Sequence, residues 1–356
     1  MTKFKKKLII LLLLLPCLSG CWDNKDINHR IMPLVLGVSR EGQELKVILQ
    51  IPKPAKDVTE TSLVIGRGET VNQAVENISQ NMESEIDLLH VKVILVEKQL
   101  AEEGLKDLIG GFIRSRDISP KSIIAITETK IEDIFEKVKD DNTTEGSLLL
   151  DHFEKNSGWN PQIALTRIWE VYRSIHSYTR DVAIPLIKVG KSTFIEQIGS
   201  AVIKNGKMVG KISPEQTLIF NVIKGESARG KIEVFNEGSV LILQSHTKHK
   251  SQFSNGVPSL RYTINLDVMI LETKNNPTTK DIEKGVEILV TNGFDTMFKK
   301  LKNERADIIG FGQYFRYHIP REELKQWRSK YFTDLQVSFN VKVNISNKGY
   351  LKFPSN

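Results

Sequence analysis

HVKVILVEKQLAEEGLKDLIGGFIRS (90–115) holds a strand and a helix in immediate succession, and it sets the grammar of the first half of the chain. HVKVILVE (90–97) reads as a strand. Over 99–114, Leu100, Leu105, Leu108, Ile109 and Phe112 recur at helical spacing and predict one inward face. The pattern repeats on both sides. Upstream, LVIG (63–66) reads as a short strand and Arg67-Gly68-Glu69 as a turn. Thr70 and Gln73 are spaced as a capping box ahead of a helix carrying Val71, Ala74, Val75, Ile78 and Met82. Downstream, SIIAITE (122–128) is a strand, and Thr129 with Glu132 is placed to cap a second helix through about Val138. Alternation of strand and helix from 63 to 138 is the order of an α/β layer.

Outside that layer the pattern changes. IMPLVLGVS and LKVILQI (31–51) flank a polar loop and read as a hairpin, and 52–62 as an exposed loop. Residues 145–155 and 161–175 look helical, with Asn160 as N-cap, Pro161 at the first helical position and an aromatic stripe through Trp169 and Tyr172. From about 198 the strands become antiparallel in character. Asn205-Gly206 suits a two-residue hairpin turn, and Ser213, Pro214 and Gln216 open a helix that Gly225 ends. Strands follow at 230–236, 239–248 and 260–272. A long helix over 278–302, loosened at Gly293, a short helix near 321–331 and a strand over 335–345 complete the pattern. The expected fold is α+β and multidomain. A region 21–192, allowing a further division near 140–180, precedes an antiparallel-sheet-plus-helices region 198–356.

The first residues assign a compartment. In MTKFKKKLIILLLLLPCLSGCW, four lysines precede the apolar run Leu8–Leu15, and Leu18-Ser19-Gly20 precede Cys21. Eight apolar residues are far short of the ~20 needed to cross a bilayer as a helix. The layout is that of a secretory signal over 1–20 ending in a bacterial lipobox, with Cys21 as the lipid-attachment residue. Two acyl chains give a durable anchor where one does not. Removing four lysines from 50 leaves 46 basic residues against 43 acids, a balance of +3. The apparent basicity is thus largely a targeting signal, and a nucleic-acid partner loses its main support. Cys17 leaves with the signal and Cys21 carries lipid, so the exported body has no thiol for a disulfide, metal site or nucleophile.

Catalytic, metal and cofactor sites are not predicted. His246 and His249 are three apart in a strand-like stretch, which sends them to opposite faces. His29, His90, His152, His176 and His318 have no ligand partner at a useful spacing. Glu102-Glu103, Asp140-Asp141 and Glu322-Glu323 read as solvated acids. Gly66-Arg67-Gly68 lacks the remaining residues of a phosphate loop. The crowding of Phe311, Tyr314, Phe315 and Tyr317 beside Gly310 and Gly312 reads as core packing before it reads as a contact face.

Several stretches together resemble one family. Cys21-Trp22-Asp23, IGRGETVNQAVENIS (65–79), HVKVILVEKQLAEEGL (90–105), FIRSRDISP (112–120), GSAVIKNGKMVGKISPEQT (199–217), ADIIGFGQYFRYHIP (306–320), the Trp327 helix and FNVKVNISNKG (339–349) occur in the order found in the Ger(x)C lipoproteins. These are the C subunits of germinant receptors. The stretches 139–165 and 245–258 fit least well. The resemblance implies a non-enzymatic, lipid-anchored subunit on the outer face of the inner spore membrane, acting with integral-membrane A and B subunits and without a cofactor. Of the family's residues, only the lipid-bearing cysteine maps, onto Cys21. The alternative reading is a solute-binding lipoprotein, which requires a deep cleft between two lobes.

Overall fold

The computed structural model describes residues 30–53, 60–140, 149–153, 162–225, 231–234 and 238–347. The signal region and Cys21 lie outside them, as do Asn160 and Pro161. An eight-stranded sheet dominates the first domain. Four parallel strands form its centre, in the order β2 (Val35–Glu41), β6 (Val93–Glu97), β7 (Ile123–Thr127) and β8 (Val182–Val189). Antiparallel hairpins extend it at both ends. β3 (Glu44–Lys53) and β4 (Glu60–Gly68) continue from β2, and β9 (Ile195–Lys204) and β10 (Lys207–Ile212) continue from β8. A minor parallel pair joins β1 (Arg30–Ile31) to β5 (Glu85–Ile86).

Strand alternation feeds a core on each face. In β6, Ile94 and Val96 point to one core, with α1 (Val71–Ser79), α2 (Lys98–Glu103), α3 (Lys106–Ser115) and α5 (Ile168–Ile175) over it. Val93 and Leu95 point to the other, against Ile131, Ile134 and Phe135 of α4 (Ile131–Asp140) and against Leu149 and Phe153. Burial on both sides is why these strands are unbroken apolar runs.

Four local expectations are corrected. Arg67 and Gly68 lie within β4 with Gly66, not in a turn. A Cβ on Gly66 would sit 2.4 Å from the Ala74 carbonyl oxygen, so glycine there lets α1 press onto the sheet. The single helix expected over 99–114 is two, divided at Gly104 with φ +142. Thr129 does not cap α4; its Oγ1 accepts the Val189 N–H, and the Ile131 N–H donates to Glu97. Residues 163–167 are extended, with Arg167 bridging to Ile123, so the helix starts only at Ile168.

The second domain packs a four-stranded sheet under helices. Its order is β11 (Lys231–Val234), β12 (Gly238–Ser254), β13 (Val257–Thr273) and β14 (Gln336–Asn347). The first three are antiparallel, but β14 runs parallel to β13, because α7 (Thr279–Glu304) carries the chain back across the sheet. The Ser213–Gln216 capping box opens α6 (Pro214–Lys224), and Gly225 ends it at φ +68. α7 is continuous through Gly293. A Cβ there would lie 2.1 Å from Ile219 Cδ1, so the glycine serves close approach to α6. The short helix expected at 321–331 is a 3₁₀ turn, Glu323–Gln326, running into a π-helical turn, Trp327–Tyr331. The two domains share β9, whose Val202 faces the second core while Ala201 and Ile203 face the first.

Candidate functional site at the domain junction

Among the described residues, the buried carboxylates lie where the segment 177–181, between α5 and β8, meets the segment 306–328. Asp307 is wholly buried. Its Oδ1 accepts the N–H groups of Gly310 and Phe311 at 2.8 and 3.0 Å, and its Oδ2 accepts the Gly312 N–H at 2.8 Å and Trp327 Nε1 at 2.9 Å. Asp181 is 1% exposed and lies against it. The two aspartates are cross-linked by a backbone bond, Asp181 N–H to Asp307 C=O at 2.8 Å, and by a bond from the Asp307 N–H to the Asp181 carboxylate Oδ2 at 2.8 Å. Arg328 closes the arrangement by donating through Nε and Nη2 to the Asp181 carboxylate and through Nη2 to the carbonyls of Ser177 and Arg180. Gln313 donates to the Thr179 carbonyl and hydroxyl.

Sequence explains each part locally. The left-handed Gly310 (φ +82) folds the chain so that three successive N–H groups converge on one carboxylate. Gly312 leaves room for the indole, since a Cβ would lie 2.6 Å from Trp327. Burial, followed by the like charge of Asp181, pushes the Asp307 carboxyl up to about 6, and the N–H donors oppose that rise. Both oxygens are saturated with donors and closed from solvent, so the pair cannot reach a substrate. Its chemistry is that of a fastener between domains.

The other candidates separate. Phe311 and Phe315 are fully buried, whereas Tyr317 is fully exposed, so most of the 310–317 aromatic cluster is core. His249 is exposed and stacks on Tyr314 with ring centroids 3.8 Å apart, while His246 stands on the opposite face of β12. Glu103 pairs with Arg40 at 3.1 Å, Glu102 with Lys98 at 3.7 Å and Glu322 with Lys325 at 2.6 Å; the Asp140-Asp141 side chains are outside the described residues. Groups of three or more metal-ligating side chains are absent among the described residues. A cleft of about 570 Å³ opens at one end of β6 and β7, lined by Val91, Ile123, Leu150 and Leu165 with Lys92, Lys121 and Arg167 also contributing. It lies within the first domain. Where the segments 177–181 and 306–328 meet, the space between the domains is filled by Trp327 and the aspartates. Sequence reasoning missed Asp181 and Arg328 entirely, because they are 147 positions apart and carry no local motif.

Comparison with known proteins agrees with this architecture. The spore germination protein N-terminal domain family matches residues 23–189, and the spore germination B3/GerAC-like C-terminal family matches residues 198–349. Spore germination protein GerQC of Bacillus cereus is 23% identical over 96% of this chain and 99% of its own length. Spore germination protein A3 of Bacillus subtilis is 24% identical over 93% and 95%. A crystal structure of the GerBC protein superposes with a TM-score of 0.60 at 17% identity, over 88% of this chain and 97% of that one, which shows a shared fold. With both domain families matched in order and germination proteins aligned from end to end, the chain belongs to the Ger(x)C family of spore germination proteins.

Proposed function

We propose that this chain is the lipid-anchored, non-catalytic subunit of a spore germinant receptor, held through Cys21 on the outer face of the inner spore membrane beside integral-membrane A and B subunits. The observation that carries the reading is the end-to-end likeness to germination proteins across both domains. No helix among the described residues is long and apolar enough to cross a membrane. A tether at Cys21 supplies what a partnership with membrane subunits requires. It confines the body to a surface and raises its effective concentration near those subunits. The filled junction supports a role for the body as one block rather than as two lobes that close on a solute.

The test is fractionation followed by affinity capture. Cys21→Ala is expected to lose membrane association in cells lacking the other subunits, and the tagged wild type is expected to co-purify with both from spore membranes. Full membrane retention of the unlipidated variant in the absence of partners would refute the anchor. Capture of a transporter and its small solute instead would favour the solute-binding reading.

A further inference from the structure

Among the described residues, the sheet of the second domain is covered on one face only. α6, α7 and the 3₁₀ turn Phe311–Phe315 pack on the face of Leu260, Tyr262, Ile264, Leu266 and Val268. On the other face, the register sets Lys250 opposite Arg261 and Ser338, Lys248 opposite Thr263 and Asn340, and His246 opposite Asn265 and Lys342. Lys248, Lys250, Arg261 and Lys342 are all exposed, and none forms an ion pair with a described residue. The carboxylate that this face carries, Asp267, accepts a hydrogen bond from Asn344 at 2.9 Å.

Like charges directly across a strand pair destabilise it, yet Lys250 faces Arg261 with Lys248 one step along the same side. A local rule broken without compensation from any described residue points to a surface shaped by something outside the fold. The centre of the face, from Lys250 to His246 across to Ser338 and Lys342, has no apolar anchor of the kind a protein hot spot requires. A flat, basic, unpaired face instead complements a layer of negative charge. We propose that the open face of β12–β14 docks on the anionic headgroups of the bilayer surface and so sets the orientation of the tethered body. Nearness to that surface rests on the anchor proposed above, but the charge complementarity does not.

The full chain is reconstituted on vesicles of phosphatidylcholine alone or mixed with phosphatidylglycerol, and amine acetylation is read residue by residue. Retention on the neutral vesicles reports the anchor; the difference between the two lipids reports the face. Each Lys or Arg near an anionic leaflet contributes roughly fivefold to partitioning at low salt. Lys248, Lys250 and Lys342 are therefore expected to label at least about tenfold more slowly on the anionic vesicles, with Lys121 of the first domain unchanged. High salt, or the combined K248E, K250E and R261E substitutions, is expected to abolish the difference at the remaining lysine. Equal labelling on both lipids would overturn the proposal. So would protection that appears only when an acidic protein partner is added.

Discussion

Arg328 is 11% exposed and Asp181 is fully enclosed, so their 2.9 Å pair has been taken out of water. Removing one member of such a pair leaves the other charge uncompensated, which costs about 3–5 kcal/mol. Arg328→Ala is expected to lower unfolding stability by that amount in urea titration, whereas Lys325→Ala, which breaks a solvent-exposed pair only three residues away, is expected to leave the urea midpoint almost unchanged. Asp307 predicts an unusual pH response. Its folded pKa, about 6, lies above the ordinary 3.8. The stabilisation linked to its proton is thus complete below the ordinary value and is lost as pH rises through about 6. Asp307→Asn puts an amide among four N–H donors and is expected to be less stable throughout. Its melting temperature should nevertheless fall less than the wild type's between mildly acidic and neutral pH. An identical slope in the two proteins would show that Asp307 does not titrate in this way.

Helices and strands bring propensity into conflict with packing, and magnitudes decide. Gly293→Ala gains roughly 0.5–1 kcal/mol of helix propensity. Its Cβ, however, would meet Ile219 Cδ1 at 2.1 Å, and because Ile219 is 2% exposed its side chain has to turn inside the packed core. Overpacking typically costs about 1–3 kcal/mol, so the substitution is expected to be destabilising, and a thermal melt checks the sign. Element identity was legible wherever the determinant was local. The Thr70 and Ser213 caps and the Gly225 stop act within one helical turn, and Thr70 Oγ1 does accept the Gln73 N–H at 3.2 Å. The β12–β13 hairpin had a local signal too. Asn255 and Gly256 hold φ values of +52 and +79 at its tip, the turn that such a dipeptide favours. A strand ending near 248 overlooks that signal. The orientation of β14 could not be read, because a strand of apolar alternation pairs equally well in either direction until the crossover helix is placed.

For the whole molecule, the eight-stranded sheet does not end where the strand grammar changes. β9 and β10 bond to the edge of β8, and Val202 of β9 enters the second core. A fragment ending at 192 would expose the β8 edge, a template for aggregation. It is expected to be insoluble, whereas one ending after Ser213 is expected to give more soluble, cooperatively folding protein by circular dichroism and gel filtration. A soluble, cooperative 192 fragment would contradict the dependence on β9. The sequence by itself determined the alternation of strands and helices, their caps, the α+β class and the expectation of an exported, lipid-bearing start, since each depends on residues within a few positions of one another. Tertiary structure alone decided that Asp181, Asp307, Trp327 and Arg328 form one junction, and that four cations share one face of the second sheet. Those groupings come from chain crossings of up to 147 residues and from strand register, and no short-range pattern encodes either.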